Sequence, residues 1–142
     1  MHPEMELLQY IYKTADMGCA GIDSVMGHVK QAPLQKELER QQGEYGRLRD
    51  LAETMITQKG EKPGGAGAVA KTSADWMAAG KLAVNDSPSK IAEMTIEGTT
   101  MGITKTIKHL KDFQSGGEQA RELGQQLLET QEANVERMKA FL

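Results

Sequence analysis

Four long helices packed side by side, with one shorter helix crossing between them, form the all-α architecture that the sequence predicts, and three observations predict it. Apolar residues recur at spacings of three and four along the chain, and no segment alternates as a half-buried strand would. Aromatic residues make up 4% of the 142 positions while Met contributes 9, so the core has to be aliphatic and adaptable. Between the turn signals, four segments run to about 25 residues each, or roughly 35–40 Å at 1.5 Å per residue, and rods of matched length bundle well. The length suits one domain, residues 1–142.

The first helix is expected over 3–30, where Leu7, Leu8, Ile11, Ala15, Ile22, Val25 and Val29 share one face. Pro33 fits a first helical position, and Leu34, Leu38, Tyr45, Leu48, Ala52 and Ile56 carry a second helix over 33–59. The link between the two, Gln31 and Ala32, is so short that they have to form an antiparallel hairpin. Lys62, Pro63, Gly64 and Gly65 then break regular structure. An alanine-rich third helix is expected over 66–83, with Trp76 and Met77 on one face. Ser87 as cap and Pro88 as first residue start a fourth helix over 88–113. Ser115, Gly116 and Gly117 make a tight turn into the fifth, over 118–142. If the short third helix runs back along the bundle, the second and fourth helices become parallel.

Lys and Arg total 17 against 20 Asp and Glu, mixed along the chain for a formal charge of −3. That leaves no basic face for nucleic acid or anionic lipid. The start, Met1 to Glu6, has no leader-like character, and no run of about 18 apolar residues could span a membrane. Cys19, the single cysteine, cannot form an internal disulfide, and the expected location is the reducing cytoplasm.

Through its paired hairpins and the segment SPSKIAEMTIEGTTMGI, Ser87 to Ile103, the chain resembles the ferritin-like superfamily, and most of all its small bacterial members. The resemblance implies a ferritin-like four-helix bundle with a crossover helix. It also implies a place for two metals, held by one Glu on each of two helices and a Glu-x-x-His pair on each of the others. Here the sequence departs from the pattern. Val25 stands three residues before His28, Thr106 stands three before His109, and His2 precedes the first helix. No cofactor is therefore expected. The alternative is an iron or manganese oxidoreductase with an irregular site, for which Asp23, Glu37, Glu44, Glu97 and His109 are the nominees. Of these, Asp23 alone could turn inward without displacing the apolar stripe, Glu37 and Glu44 lie on flanks, and His109 is expected at a bundle end.

Neutral polar residues also fall on the inner faces: Gln41 and Gln42 beside Tyr45, and Gln131 and Asn134 on the last helix. Tyr45, Gln131 and Asn134 could line a polar pocket, but the usual exposure of such side chains favours solvated positions near bundle ends. Gly65 to Thr72, GAGAVAKT, comes within one residue of a phosphate-binding loop. Ala70 replaces its second glycine and no strand precedes it, so it reads as a linker entering a helix. Cys19 has no His or Lys in its turn to activate it, and no serine sits in a G-x-S-x-G elbow.

The fourth helix carries Ile91, Met94, Gly98, Met101, Ile103, Ile107 and Leu110 over an arc of about two thirds of its circumference, too wide for two bundle neighbours. The third helix is the nearest cover and a second subunit the other. These features together predict a non-enzymatic structural or protein-interaction bundle, whose partner is another protein or a homodimer mate.

Overall fold

The computed structural model describes residues 2–64 and 85–142. Four helices account for most of them: α1 (Pro3–Met26), α2 (Ala32–Gln58), α3 (Pro88–Asp112) and α4 (Glu118–Met138), closed by a 3₁₀ turn over Lys139–Phe141. No strand occurs among the described residues. The expected helix over 66–83 and the GAGAVAKT stretch lie outside them.

Local chemistry explains where the helices begin. A proline occupies the first turn of α1, α2 and α3, where its missing N–H costs nothing. Ser87 Oγ accepts from the Lys90 amide at 3.2 Å, and His2 Nδ1 accepts from the Glu4 amide at the same distance. Before α4, Gly117 adopts φ +92°, which favours glycine, and the Glu4 carboxylate packs against it where a Cβ would lie 2.9 Å away.

Contacts along the rods fix their directions. Glu4 pairs with Lys59 at 3.0 Å, Asp16 meets Arg49, and Cys19 reaches Gln42, so α1 and α2 are antiparallel. Gly124 receives Leu110, and Gly102 receives Gln131, so α3 and α4 are antiparallel as well. Leu7 packs by Gly116 and Ile11 by Gly124, which sets α4 parallel to α1. It follows that α2 and α3 run the same way. The described ends of their connection agree: Lys62 accepts a bond from Gln9 at one end of the bundle, and Asp86 pairs with Lys30 at the other. About 30 Å of rod separates the two ends.

The core is aliphatic. Leu7, Leu8 and Ile11 of α1, Leu34, Leu38, Leu48 and Ile56 of α2, and Leu127 and Met138 of α4 are fully buried. In α3, by contrast, the fully enclosed residues are Ile91, Ala92 and Thr106. Met101, expected on its apolar arc, is 64% exposed, and Ile107 and Gly98 are exposed too. The arc's buried centre lies on the Ala92–Thr106 line, half a turn from Met101. No described helix is long and apolar enough to cross a membrane.

Candidate functional site

Two polar seams cross the bundle interior, and each is built from residues whose helical spacing brings them to one face. On α2, Glu37, Arg40, Gln41 and Glu44 stand one turn apart. Arg40 grips the Glu37 carboxylate with Nε at 3.1 Å and Nη2 at 2.8 Å, and Gln41 Nε2 donates to it at 2.7 Å. From α4, Arg137 approaches the same carboxylate at 3.5 Å. Arg40 Nη2 also donates to Asn134 Oδ1 at 3.0 Å, tying α2 to α4. Burial pushes the Glu37 carboxyl up, but the bonds from Arg40 and Gln41 and the charge of Arg137 outweigh it, so its pKa lies below the ordinary value.

Arg40 fixes the orientation of the Asn134 carboxamide, and Nδ2 is left without a hydrogen-bond partner, the one such buried side-chain atom among the described residues. Burial raises the pKa of the neighbouring Tyr45 phenol, and Asn134 and Thr99 beside its hydroxyl oppose the shift only in part. The Tyr45 ring lies against α1 at Gly18, where a Cβ would come 2.6–2.8 Å from three ring atoms. Outside the seam run two solvent-open grooves. One of about 280 Å³ is lined by Arg40, Glu44, Arg47, Gln126, Thr130 and Asn134, and one of about 500 Å³ by Lys36, Glu37, Arg137 and Phe141 among others.

The second seam is neutral. The Tyr10 hydroxyl stands 2.9 Å from Thr106 Oγ1, which in turn lies 2.8 Å from Gln131 Oε1 and 2.9 Å from the Gly102 carbonyl. Proton bookkeeping closes: Tyr10 donates to Thr106, and the single Thr106 proton serves Gln131 or Gly102. Glycine at 102 is what admits the amide, since a Cβ would lie 2.7 Å from Gln131 Nε2. The Tyr10 ring stacks on His109 with centroids 3.7 Å apart and an interplanar angle of 14°. His109 Nδ1 lies 2.9 Å from the Lys105 carbonyl.

These positions correct several expectations. Gln41, Gln131 and Asn134 are buried, not solvated at bundle ends, because each finds a bonding partner across or along a helix. Of the proposed pocket, Tyr45 and Asn134 come together, whereas Gln131 belongs to the other seam. Asp23 does not turn inward; it is exposed and accepts from Gln42 Nε2 at 2.6 Å. The buried acid of α1 is Asp16, nearer mid-bundle and facing Arg49. His109 does lie in the last turn of α3, as expected, but it is half-buried there, with its ring stacked on Tyr10.

The five residues nominated as ligands are dispersed. Glu37 is held by Arg40, Glu44 faces Arg47 at 3.4 Å, Asp23 bonds Gln42, Glu97 is exposed on α3, and His109 stacks on Tyr10. Among the described residues, no three His, Cys, Asp or Glu side chains gather as a metal would require. Cys19 is buried, and burial raises its thiol pKa despite the opposing charge of Arg49, which suppresses the thiolate. Sequence reasoning missed Arg40, Arg137, Tyr10 and Thr106. The Glu37–Arg40 spacing was the one visible signal for the first pair; the rest needed helix packing.

Comparison with protein-family models, curated proteins and solved structures finds no match to this chain.

Proposed function

We propose that the chain is a non-enzymatic, metal-independent helical bundle of ferritin-like type that acts by protein association, with the outward face of α3 as its contact surface. The observation that carries this reading is Met101 at the middle of α3, which is 64% exposed, against 46% for Met17 of α1 and 38% for Leu51 of α2. Met94 and Gly98 lie within about 60° of Met101 on the same side of α3, and apolar groups clustered on one exposed helix face mark association sites more often than isolated ones do. The inner polar groups support the same reading, since among the described residues all but one of their buried side-chain atoms are satisfied within the chain and so set helix register. A cytoplasmic setting and a bacterial source fit the lone thiol and the family resemblance.

A photo-crosslinking residue placed at Met101 tests the reading in cells. Adducts are expected at Met101 and not at the exposed Gln125 of α4. Equal yields at the two positions, or no adduct of any kind at Met101, would remove it.

A further inference from the structure

We propose that the partner on this face is a second copy of the chain, seated antiparallel on α3 about a twofold axis through Met101. The inference rests on the association reading above and names its occupant. At 100° per residue, Lys90, Glu97, Met101, Lys105 and Asp112 fall within about 40° of one line along α3. Their order along that line is self-complementary. Glu97 and Lys105 lie four residues before and after Met101, and Lys90 and Asp112 lie eleven before and after. A twofold axis at Met101 carries each position onto its counterpart, so Glu97 meets Lys105 of the second copy and Lys90 meets Asp112. By symmetry each contact is made twice.

Three of the four charges are free to do this, and Lys90, which reaches Glu93 of its own helix at 3.5 Å, exchanges that weak pair for Asp112. Glu97, Lys105 and Asp112 are exposed and form no ion pair with another described residue. Within one helix, Glu97 and Lys105 are about 12 Å apart along the axis, too far to pair. A parallel arrangement would set Glu97 against Glu97 and Lys105 against Lys105, so the pattern selects the antiparallel one. At the axis itself the surface suits close approach. Met101 projects into solvent, and a Cβ on exposed Gly98 would meet nothing within 4 Å, so helix axes can come to the ordinary packing distance of about 8–10 Å. Lys108 maps onto Met94, whose half-buried thioether its alkyl stem can cover. Exposed charge pairs of this kind fix orientation more than strength, so the dimer should be salt-sensitive.

The test uses the full chain with Cys19→Ser as background. Under mild oxidation Met101→Cys should form an intermolecular disulfide and Gln125→Cys should not, because only a residue on the axis meets itself. By sedimentation velocity at low salt, Lys105→Glu should weaken dimerisation at least tenfold, and adding Glu97→Lys should restore it. Circular dichroism at a concentration low enough for the parent to be monomeric should show the same melting temperature for all variants, since the positions are exposed and association no longer contributes. A chain that stays monomeric, a dimer indifferent to the single reversal, or equal disulfide yields at 101 and 125 would overturn the proposal. A crosslink from Met101 to a different protein, with the chain itself monomeric, overturns the second copy yet leaves the association reading standing.

Discussion

The two seams hold helices in register by opposite chemistry. Between α2 and α4 the contact is ionic, with the Glu37 side chain 10% exposed and that of Arg40 35% exposed. Between α1, α3 and α4 it is a neutral chain of hydroxyls and an amide, with Thr106 and Gln131 at 1% and 2%. The difference follows from solvation. A charge withdrawn from water carries a penalty of several kcal/mol, so the ionic seam survives where one partner still reaches solvent. A hydroxyl or amide carries a much smaller penalty and can be enclosed if every proton has an acceptor.

Removing the centre of each seam tests this contrast most strongly. Glu37→Ala strips Arg40 and buried Gln41 of their shared acceptor and should cost about 2–3 kcal/mol in urea unfolding. Thr106→Val leaves the Tyr10 hydroxyl and Gln131 Oε1 facing a methyl and should cost about 1–2 kcal/mol. Half-molar salt should shrink the first loss and leave the second unchanged. A second loss that is equally salt-sensitive breaks the distinction.

Acid separates them further. Because Glu37 is held below its ordinary value of 4.5, its contribution is present above that value and is lost as pH falls through the folded pKa. The stability gap between the parent and Glu37→Gln should therefore close below pH about 4.5, while the Thr106→Val gap stays level. At the alkaline end the sign reverses. The buried Tyr45 phenol sits above its ordinary 10.0, so its contribution holds below that value and is lost as pH rises through the folded pKa. Tyr45→Phe should flatten that alkaline limb at a neutral-pH cost of about 1 kcal/mol.

Much of the fold was legible because burial imposes periodicity. Leu7, Leu8, Ile11, Leu34, Leu38 and Leu127, expected inside from spacing alone, are all fully buried. Periodicity says less about backbone. It carried the first helix to residue 30, whereas α1 stops at Met26, because Val29 still packs on the core after the ladder ends. The last helix was likewise read to 142, but beyond Met138 the chain tightens into a 3₁₀ turn while Phe141 keeps its core contact. On α3 the failure was one of phase. Met101 and Ile107 widen the apolar arc without being buried, so composition pointed away from the Ala92–Thr106 line that faces the core. The seams were hidden for another reason: Glu37 meets Arg137 and Tyr10 meets Thr106 across most of the chain's length, a pairing that only packed helices reveal.

The smallest expected effect sharpens the comparison from within the ionic seam. Glu44 lies two turns beyond Glu37 on α2 and also faces an arginine, Arg47, at 3.4 Å. Its side chain, however, is 39% exposed and that of Arg47 47%. Water already solvates both charges, the long side chains lose entropy in meeting, and pairs of this kind contribute about 0–1 kcal/mol. Glu44→Gln should therefore shift the urea midpoint by an amount equivalent to less than about 0.5 kcal/mol. A loss as large as that of Glu37→Ala would mean that the charge pattern of the whole α2 face, rather than enclosure of the Glu37 carboxylate, holds α2 to α4.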